Sequence, residues 1–190
     1  AGWEQLQPTG TPPTPRYHPA AAYDPLSNRL IVVGGWDQAM GGLAGVWVLT
    51  PAKGLTGTPH WTSYPATGPA GRVGHHLAYD PATKRAVLVG GADAAGTLLR
   101  DVWVLEHADG TTGSPVWRPV TNTGPDFGGN SVPAMAYLPA AGRLALALGA
   151  IGTDYRNDVW MAELSGGSAG TGPGTVSYTV APNPTTVARP

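Results

Sequence analysis

The sequence predicts an all-β fold made of repeated four-stranded units. Apolar residues occur in short blocks separated by Gly, Pro, Thr and Asp, a pattern typical of many short strands joined by tight turns. Several motifs recur in a fixed order at intervals of 56 to 58 residues, which indicates an internal repeat. Gly and Pro make up about a quarter of the chain, but seven Trp and seven Tyr argue against disorder.

Each repeat contains four segments that have the length of a strand. The first ends in a turn motif, at Tyr23-Asp24-Pro25, Tyr79-Asp80-Pro81 and the looser Tyr137-Leu138-Pro139. The second runs from an Arg to two small residues, at 29–35, 85–91 and 143–150. The third carries Val-Trp at its start, at 46–49, 102–105 and 159–162. The fourth opens with a Trp in two repeats, and a further Trp precedes them all, at Trp61, Trp117 and Trp3.

The order of these motifs resembles the Kelch repeat, in which an apolar strand ends in Gly-Gly and a Trp lies on a later strand. The resemblance covers nearly the whole chain and implies a β-propeller with three four-stranded antiparallel blades. It also implies that the Tyr strand is innermost in each blade and that the strand opened by Trp is outermost. The third repeat departs from the pattern, because Gly149-Ala150 replaces Gly-Gly and Asn130 replaces an Arg.

The motifs divide the chain, as one propeller segment, into three blades with a short piece on either side. The blades occupy 16–65, 72–122 and 130–182, an extra N-terminal outer strand lies within 1–9, and the tail is 183–190. The extra strand is Trp3–Gln7, since Trp3 matches the Trp that opens each outer strand. The last outer strand is expected at Tyr178–Val180, because Gly174 precedes Tyr178 by the interval that separates a Gly from Trp in the other repeats.

Three blades do not close a propeller, which typically has about four to eight. The chain is then a segment of a longer protein, or copies associate to complete the ring, or the spare strand adds to an open edge of another subunit. A homo-oligomer or filament would form through Trp3–Gln7 or Tyr178–Pro190.

Composition excludes several classes of partner. The net charge is −1 with only two Lys, so no basic surface is available for nucleic acid. No apolar run is long enough to span a bilayer, and we expect no membrane insertion. The chain has no Cys, which excludes disulfides and thiolate metal sites. A chain poor in Cys and Lys and rich in Thr, Pro and Gly suits a secreted or cell-surface bacterial protein.

A candidate ligand-binding face follows from strand alternation, which places the loops between blades beside the loops after the second strands. Arg and aromatic side chains there suit a carboxylate or a sugar, by bidentate hydrogen bonds and ring stacking. Arg16 and Arg72 also recur at equivalent positions, which favours a structural role for both. The candidate residues are Arg16, His18, Trp36, Asp37, Arg72, His75, His76, Asp93, Asn130, Asp154 and Tyr155.

We predict no metal, cofactor or catalytic residue. His75 and His76 are adjacent, so on a strand they point to opposite faces and cannot share a metal ion. Asp101 and Asp158 precede Val-Trp and are expected to hydrogen-bond a turn rather than act as bases. The distant resemblance to galactose oxidase implies a copper site built on Tyr and Cys, and this chain lacks Cys.

The leading hypothesis is therefore a non-catalytic, extracellular Kelch-like module that binds a protein or a glycan through its loop face. The first alternative is a structural protein that assembles into filaments by exchanging terminal strands. The second alternative is a carbohydrate-active enzyme domain whose site lies in the central channel, where residues distant in sequence can meet.

Overall fold

A computed structural model describes residues 2–39, 41–65, 67–122, 134–147, 149–151, 154–155, 158–163 and 176–182. These residues form seventeen strands and no helix, which confirms the all-β prediction. The strands are β1 (Thr9–Gly10), β2 (Ala20–Asp24), β3 (Arg29–Val33), β4 (Trp36–Asp37), β5 (Gly41–Gly42), β6 (Val46–Thr50), β7 (His60–Tyr64), β8 (His76–Asp80), β9 (Arg85–Val89), β10 (Val102–Glu106), β11 (Val116–Asn122), β12 (Ala134–Leu138), β13 (Arg143–Ala147), β14 (Ala150–Ile151), β15 (Asp154–Tyr155), β16 (Val159–Glu163) and β17 (Val176–Pro182).

Twelve of these strands form three four-stranded antiparallel meanders, as the repeat predicts. The first meander is β2-β3-β6-β7, the second is β8-β9-β10-β11, and the third is β12-β13-β16-β17. The strand expected at Tyr178–Val180 is confirmed, since β17 spans Val176–Pro182. Two parallel pairings extend the meanders, because β1 adds to β7 and β11 joins β17.

The Tyr-Asp-Pro motif makes the first turn of the first two meanders. Asp24 accepts hydrogen bonds from the Leu26 amide and the Ser27 hydroxyl. Asp80 accepts the Ala82 amide at 2.9 Å and the Thr83 hydroxyl at 2.6 Å. A carboxylate that satisfies the turn in this way replaces strand hydrogen bonds and ends the strand, so the motif fixes the length of the hairpin.

The meanders pack face to face around two apolar cores. The first strand of the second meander, β8, contacts both β2 and β12. Alternate side chains of β9 belong to different cores. Ala86 and Leu88 face the first meander, whereas Val87 and Val89 face the third. The second meander is therefore covered on both faces.

Small residues allow the meanders to approach closely. A Cβ on Gly71, just before the second meander, would overlap the carbonyl group of Gly42 in the hairpin of the first. A Cβ on Gly68 would overlap the Trp117 ring. Because the obstacle at Gly71 is backbone rather than a flexible side chain, only Gly fits there.

The N-terminal prediction is wrong in its position, because residues 2–8 form no strand and β1 is Thr9–Gly10. A fourth strand needs a Val-Trp strand as its hydrogen-bonding neighbour. Each Val-Trp strand that the structure describes already has such a neighbour, since β6 pairs with β7, β10 with β11 and β16 with β17. Trp3 is fully exposed as a result. Leu6 nevertheless lies against Gly54 in the way that Tyr64 lies against Gly110. The tail 183–190 lies outside the described residues.

Candidate functional site

The segment that enters each of the first two meanders lies beside the loop that follows its second strand. Tyr17 and Trp36 exchange backbone hydrogen bonds of 3.0 and 2.9 Å. Val73 and Ala92 make the same pair in the second meander, at 3.0 and 2.9 Å. We call this border of the molecule the loop edge. It brings the predicted residues of a given meander together.

Arg72 forms a buried structural site in the second meander. Its Nε donates to the Ala70 carbonyl at 3.1 Å, and Nη1 donates to the Gly90 carbonyl at 3.0 Å. Nη1 and Nη2 also donate to the two carboxylate oxygens of Asp101, at 2.5 and 2.7 Å. The indole Nε1 of Trp103 donates to the same carboxylate at 2.7 Å. Four hydrogen bonds thus hold a guanidinium that is only 2% exposed.

This site bears on two sequence-based expectations. Arg72 is among the candidate ligand residues although its recurrence favours a structural role, and its burial and its bonds to Asp101 agree with the structural role. Asp101 is predicted to bond a turn, whereas its partners are Arg72 and Trp103. Burial alone would raise the pKa of Asp101, but the hydrogen bonds from Arg72 and Trp103 outweigh it and hold the pKa below its ordinary value.

Arg16 repeats half of this arrangement in the first meander. Its Nε donates to the Thr14 carbonyl at 2.9 Å and Nη1 donates to the Gly34 carbonyl at 2.8 Å, as Arg72 does with Ala70 and Gly90. The carboxylate is missing, because Gly45 stands where the second meander has Asp101. The guanidinium instead lies over the Trp47 ring, 4.1 Å from its centroid. Partial burial lowers the pKa of Arg16, and the Asp37 carboxylate opposes that shift.

The third meander keeps the carboxylate and the Trp. The indole Nε1 of Trp160 donates to Asp158 at 2.8 Å, as Trp103 donates to Asp101. The Arg position is Asn130, which lies outside the described residues. The repeats therefore give three versions of one site.

His75 is also structural rather than exposed, contrary to its place among the candidate residues. Its ring is 3% exposed, and Nε2 lies 3.1 Å from the Val33 carbonyl of the first meander. Burial, together with the nearby Arg72 and His76, lowers the pKa of His75 to about 4, although the Val33 carbonyl opposes that shift. The imidazole is thus neutral near pH 7, with Nε2–H as the donor. Burial lowers the pKa of the less buried His76 in the same direction.

Aromatic side chains gather at the loop edge of the first meander. Tyr17 is 49% exposed and its ring meets that of His18 edge-on, with centroids 5.4 Å apart. Trp36 is half-buried and is paired with Tyr17 through the backbone. We call Tyr17, His18 and Trp36 the aromatic patch. Tyr17 was missed by the sequence reasoning, although an aromatic residue where the other repeats have Val73 and Ser131 is a visible signal.

The remaining predicted residues divide into loop-shaping and undescribed ones. Asp37 accepts the Ala39 amide at 2.8 Å, and Asp93 accepts the amides of Ala95 and Thr97, both at 2.9 Å. Each carboxylate thus shapes its own loop. Asp154 and Tyr155 lie in β15, and only their backbone is described.

Buried polar side chains also lie between the first two meanders, at the border opposite the loop edge. Asp109 is fully buried and accepts the Thr111 hydroxyl at 2.6 Å, while its carbonyl accepts from Arg29 at 2.8 Å. Burial and the carboxylates of Asp109 and Asp24 raise the pKa of the Tyr79 hydroxyl, which stays protonated. Within the described ranges no three His, Cys, Asp or Glu side chains are placed to hold a metal ion.

Comparison with known proteins leaves the site to be judged on its geometry. No protein-family model matches the chain, and no match was found among curated proteins. Among the residues that the structure describes, none belong to a helix that could cross a membrane.

The same substitution at two equivalent Arg residues is predicted to have unequal effects. Arg72→Gln leaves the carboxylate of Asp101 without its guanidinium and should lower the free energy of unfolding by about 3 kcal/mol, near the lower limit for a buried pair because Asp101 is 39% exposed. Arg16→Gln should cost only about 1 kcal/mol, because it loses the hydrogen bond to the Gly34 carbonyl but Gly45 stands at the position of Asp101 and no carboxylate there loses its partner. Urea denaturation of both variants measures the difference. Equal losses would contradict the structural assignment of Arg72.

The neutral, buried His75 predicts a loss of stability in acid. The unfolded chain binds a proton at His75 below about pH 6.5, whereas the folded chain resists it down to about pH 4, so stability falls between these values and levels off below. The loss should reach about 3 kcal/mol, with His76 adding in the same direction. Urea denaturation at several pH values should show a flatter profile for His75→Gln. A control variant at exposed His18, His18→Gln, should keep the wild-type profile, and an unchanged profile for His75→Gln would refute the assignment.

Proposed function

We propose that this chain is a non-catalytic Kelch-like β-propeller module that works outside the cell and binds a protein or a glycan through its loop edge. The observation that carries the proposal is the aromatic patch beside Arg16. Exposed aromatic rings and a partly exposed guanidinium supply stacking, cation–π and directed hydrogen bonding, the interactions on which peptide and sugar recognition depends.

The use of the other charged side chains supports a binding role over a catalytic one. Three groups with altered pKa values, His75, Tyr79 and the partly buried Asp101, are engaged with the core or with structural partners. Perturbed groups at an active site instead face a cleft that a substrate can enter. The repeat motifs and the three four-stranded meanders support the Kelch-like architecture.

A binding experiment with two matched double variants tests the proposal. The chain is immobilised and probed with a glycan array and a displayed peptide library. Ligands that bind should be lost by at least about tenfold in Tyr17→Ala/Trp36→Ala, because the aromatic patch is removed. They should be retained in Leu26→Ala/Leu55→Ala, which alters exposed side chains at the opposite border.

Two outcomes would overturn this function. One is the absence of saturable binding to either library, and the other is binding that the aromatic-patch variant leaves intact. Turnover of a bound sugar would favour the carbohydrate-active alternative instead.

A second candidate function, self-assembly, is favoured by the N-terminal segment. Trp3 is fully exposed, while the equivalent Trp117 is 8% exposed on β11. Leu6 already occupies on Gly54 the place that Tyr64 occupies on Gly110. The segment therefore lies beside the first meander, but in the described part of the chain it has no Val-Trp strand to pair with. A Val-Trp strand of another copy would supply that neighbour.

Light scattering over a range of concentrations tests self-assembly. The mass of the wild-type chain should rise with concentration, and Trp3→Ala should shift the rise to concentrations at least about tenfold higher, because a buried interface Trp is typically a dominant contact. Leu26→Ala serves as a control for loss of an exposed apolar side chain. A wild-type chain that stays monomeric throughout would refute this candidate.

A further inference from the structure

The two Arg sites described above have the same anchoring bonds and differ in their occupant. In each, Nε donates to the carbonyl two residues earlier, and Nη1 donates to the carbonyl of the first Gly after the second strand. These bonds fix the plane of the guanidinium from one side. In the second meander the opposite side of the fork grips Asp101 with both terminal nitrogens.

The first meander keeps the anchored guanidinium of Arg16 but has no carboxylate at the position of Asp101. Gly45 replaces Asp101, so no carboxylate is supplied from that position. A guanidinium has five N–H donors. Among the described residues Arg16 uses three of them, and Nη2 donates to the Thr14 hydroxyl at 3.1 Å. One N–H on each terminal nitrogen therefore stays available, and these are the atoms that hold the carboxylate in the second meander.

Two neighbours of Arg16, the Trp47 ring and the Asp37 carboxylate, define the surroundings of its guanidinium. The Trp47 ring supports one face of the guanidinium and also blocks an internal replacement, because a Cβ on Gly45 would lie 2.6 Å from that ring. At the equivalent site the Asp101 side chain is 39% exposed, so the position of the carboxylate reaches solvent. The Asp37 carboxylate acts on Arg16 electrostatically, but it comes from the neighbouring hairpin and its Oδ1 accepts the Ala39 amide.

We propose that Arg16 binds the side-chain carboxylate of an aspartate in a partner protein, which takes the place that Asp101 holds in the second meander. An aspartate is favoured over a sugar acid because the occupied copy of this site holds an aspartate that immediately precedes a β-strand. Tyr17 and His18 of the aromatic patch directly follow Arg16, Trp36 pairs with Tyr17, and these side chains would contact residues flanking that aspartate. This inference rests on the proposed binding function and names the chemistry of its ligand.

The test is a titration followed by two-dimensional ¹H–¹⁵N NMR on the whole chain. N-acetyl-aspartate amide is the probe, N-acetyl-asparagine amide is its neutral match, and glucuronate represents sugar acids. The aspartate probe should give saturable shifts of the Arg16 Nε–H and Trp47 indole resonances. The asparagine probe should bind at least about tenfold more weakly, because the charge-assisted pair is lost. Added salt should weaken the binding of the aspartate probe.

Two variants separate a directed fork from a general charge effect. Arg16→Lys keeps the charge but loses the bidentate geometry, so binding should weaken by about tenfold. Arg16→Gln should abolish the shift of Trp47, and dispersion of the remaining spectrum shows whether that variant is folded. Asp37→Asn should bind at least as tightly as the wild-type chain, because a competing carboxylate has been removed.

Several results would overturn the inference. They are equal affinity for the aspartate and asparagine probes, wild-type binding by Arg16→Lys, or tighter binding of glucuronate than of the aspartate probe. Any of these together with patch-dependent ligands on the arrays would leave the binding function intact and refute only the carboxylate assignment. Absence of those ligands would refute the binding function itself.

Discussion

Face-to-face packing of short sheets is the constraint on which this structure depends. A strand of five residues makes few hydrogen bonds, and a four-stranded sheet of such strands gains stability only by burying its apolar faces. The second meander satisfies this requirement on both sides, since alternate residues of β9 enter different cores. The small residues between the meanders allow the sheets to come close enough to bury those faces.

The buried polar side chains between the meanders are explained by the free-energy cost of burying backbone carbonyls that have no hydrogen-bond donor. Where a strand ends inside the molecule, its last carbonyls still need donors. Arg72 supplies Gly90 and His75 supplies Val33, so each side chain replaces hydrogen bonds that a longer sheet would have made. The same residue types that suggest chemistry in a sequence are here used to close the ends of strands.

The strands and their grouping could be predicted because the repeat displays the same local signals three times. The repeat also favours a structural role for Arg72, but it does not identify the partner, since Asp101 is 29 residues away and the burial of Arg72 depends on how two meanders meet. Trp3–Gln7 was misplaced because a strand requires a neighbour as well as a pattern. The consequence of Gly45, by contrast, can be inferred from the sequence. Once Asp101 is known to bind Arg72, alignment of the repeats shows that Arg16 has no carboxylate at the equivalent position.

The parallel pairings at the outer strands have a mechanical consequence. The segment that enters the first meander is bonded to β7, the strand by which the chain leaves it, and β11 and β17 repeat this arrangement for the third meander. Tension between the two ends of a meander therefore pulls parallel neighbours in opposite directions along their length. Their hydrogen bonds are loaded together in shear rather than opened one at a time, so the first and third meanders resist stretching at the point where force would enter them.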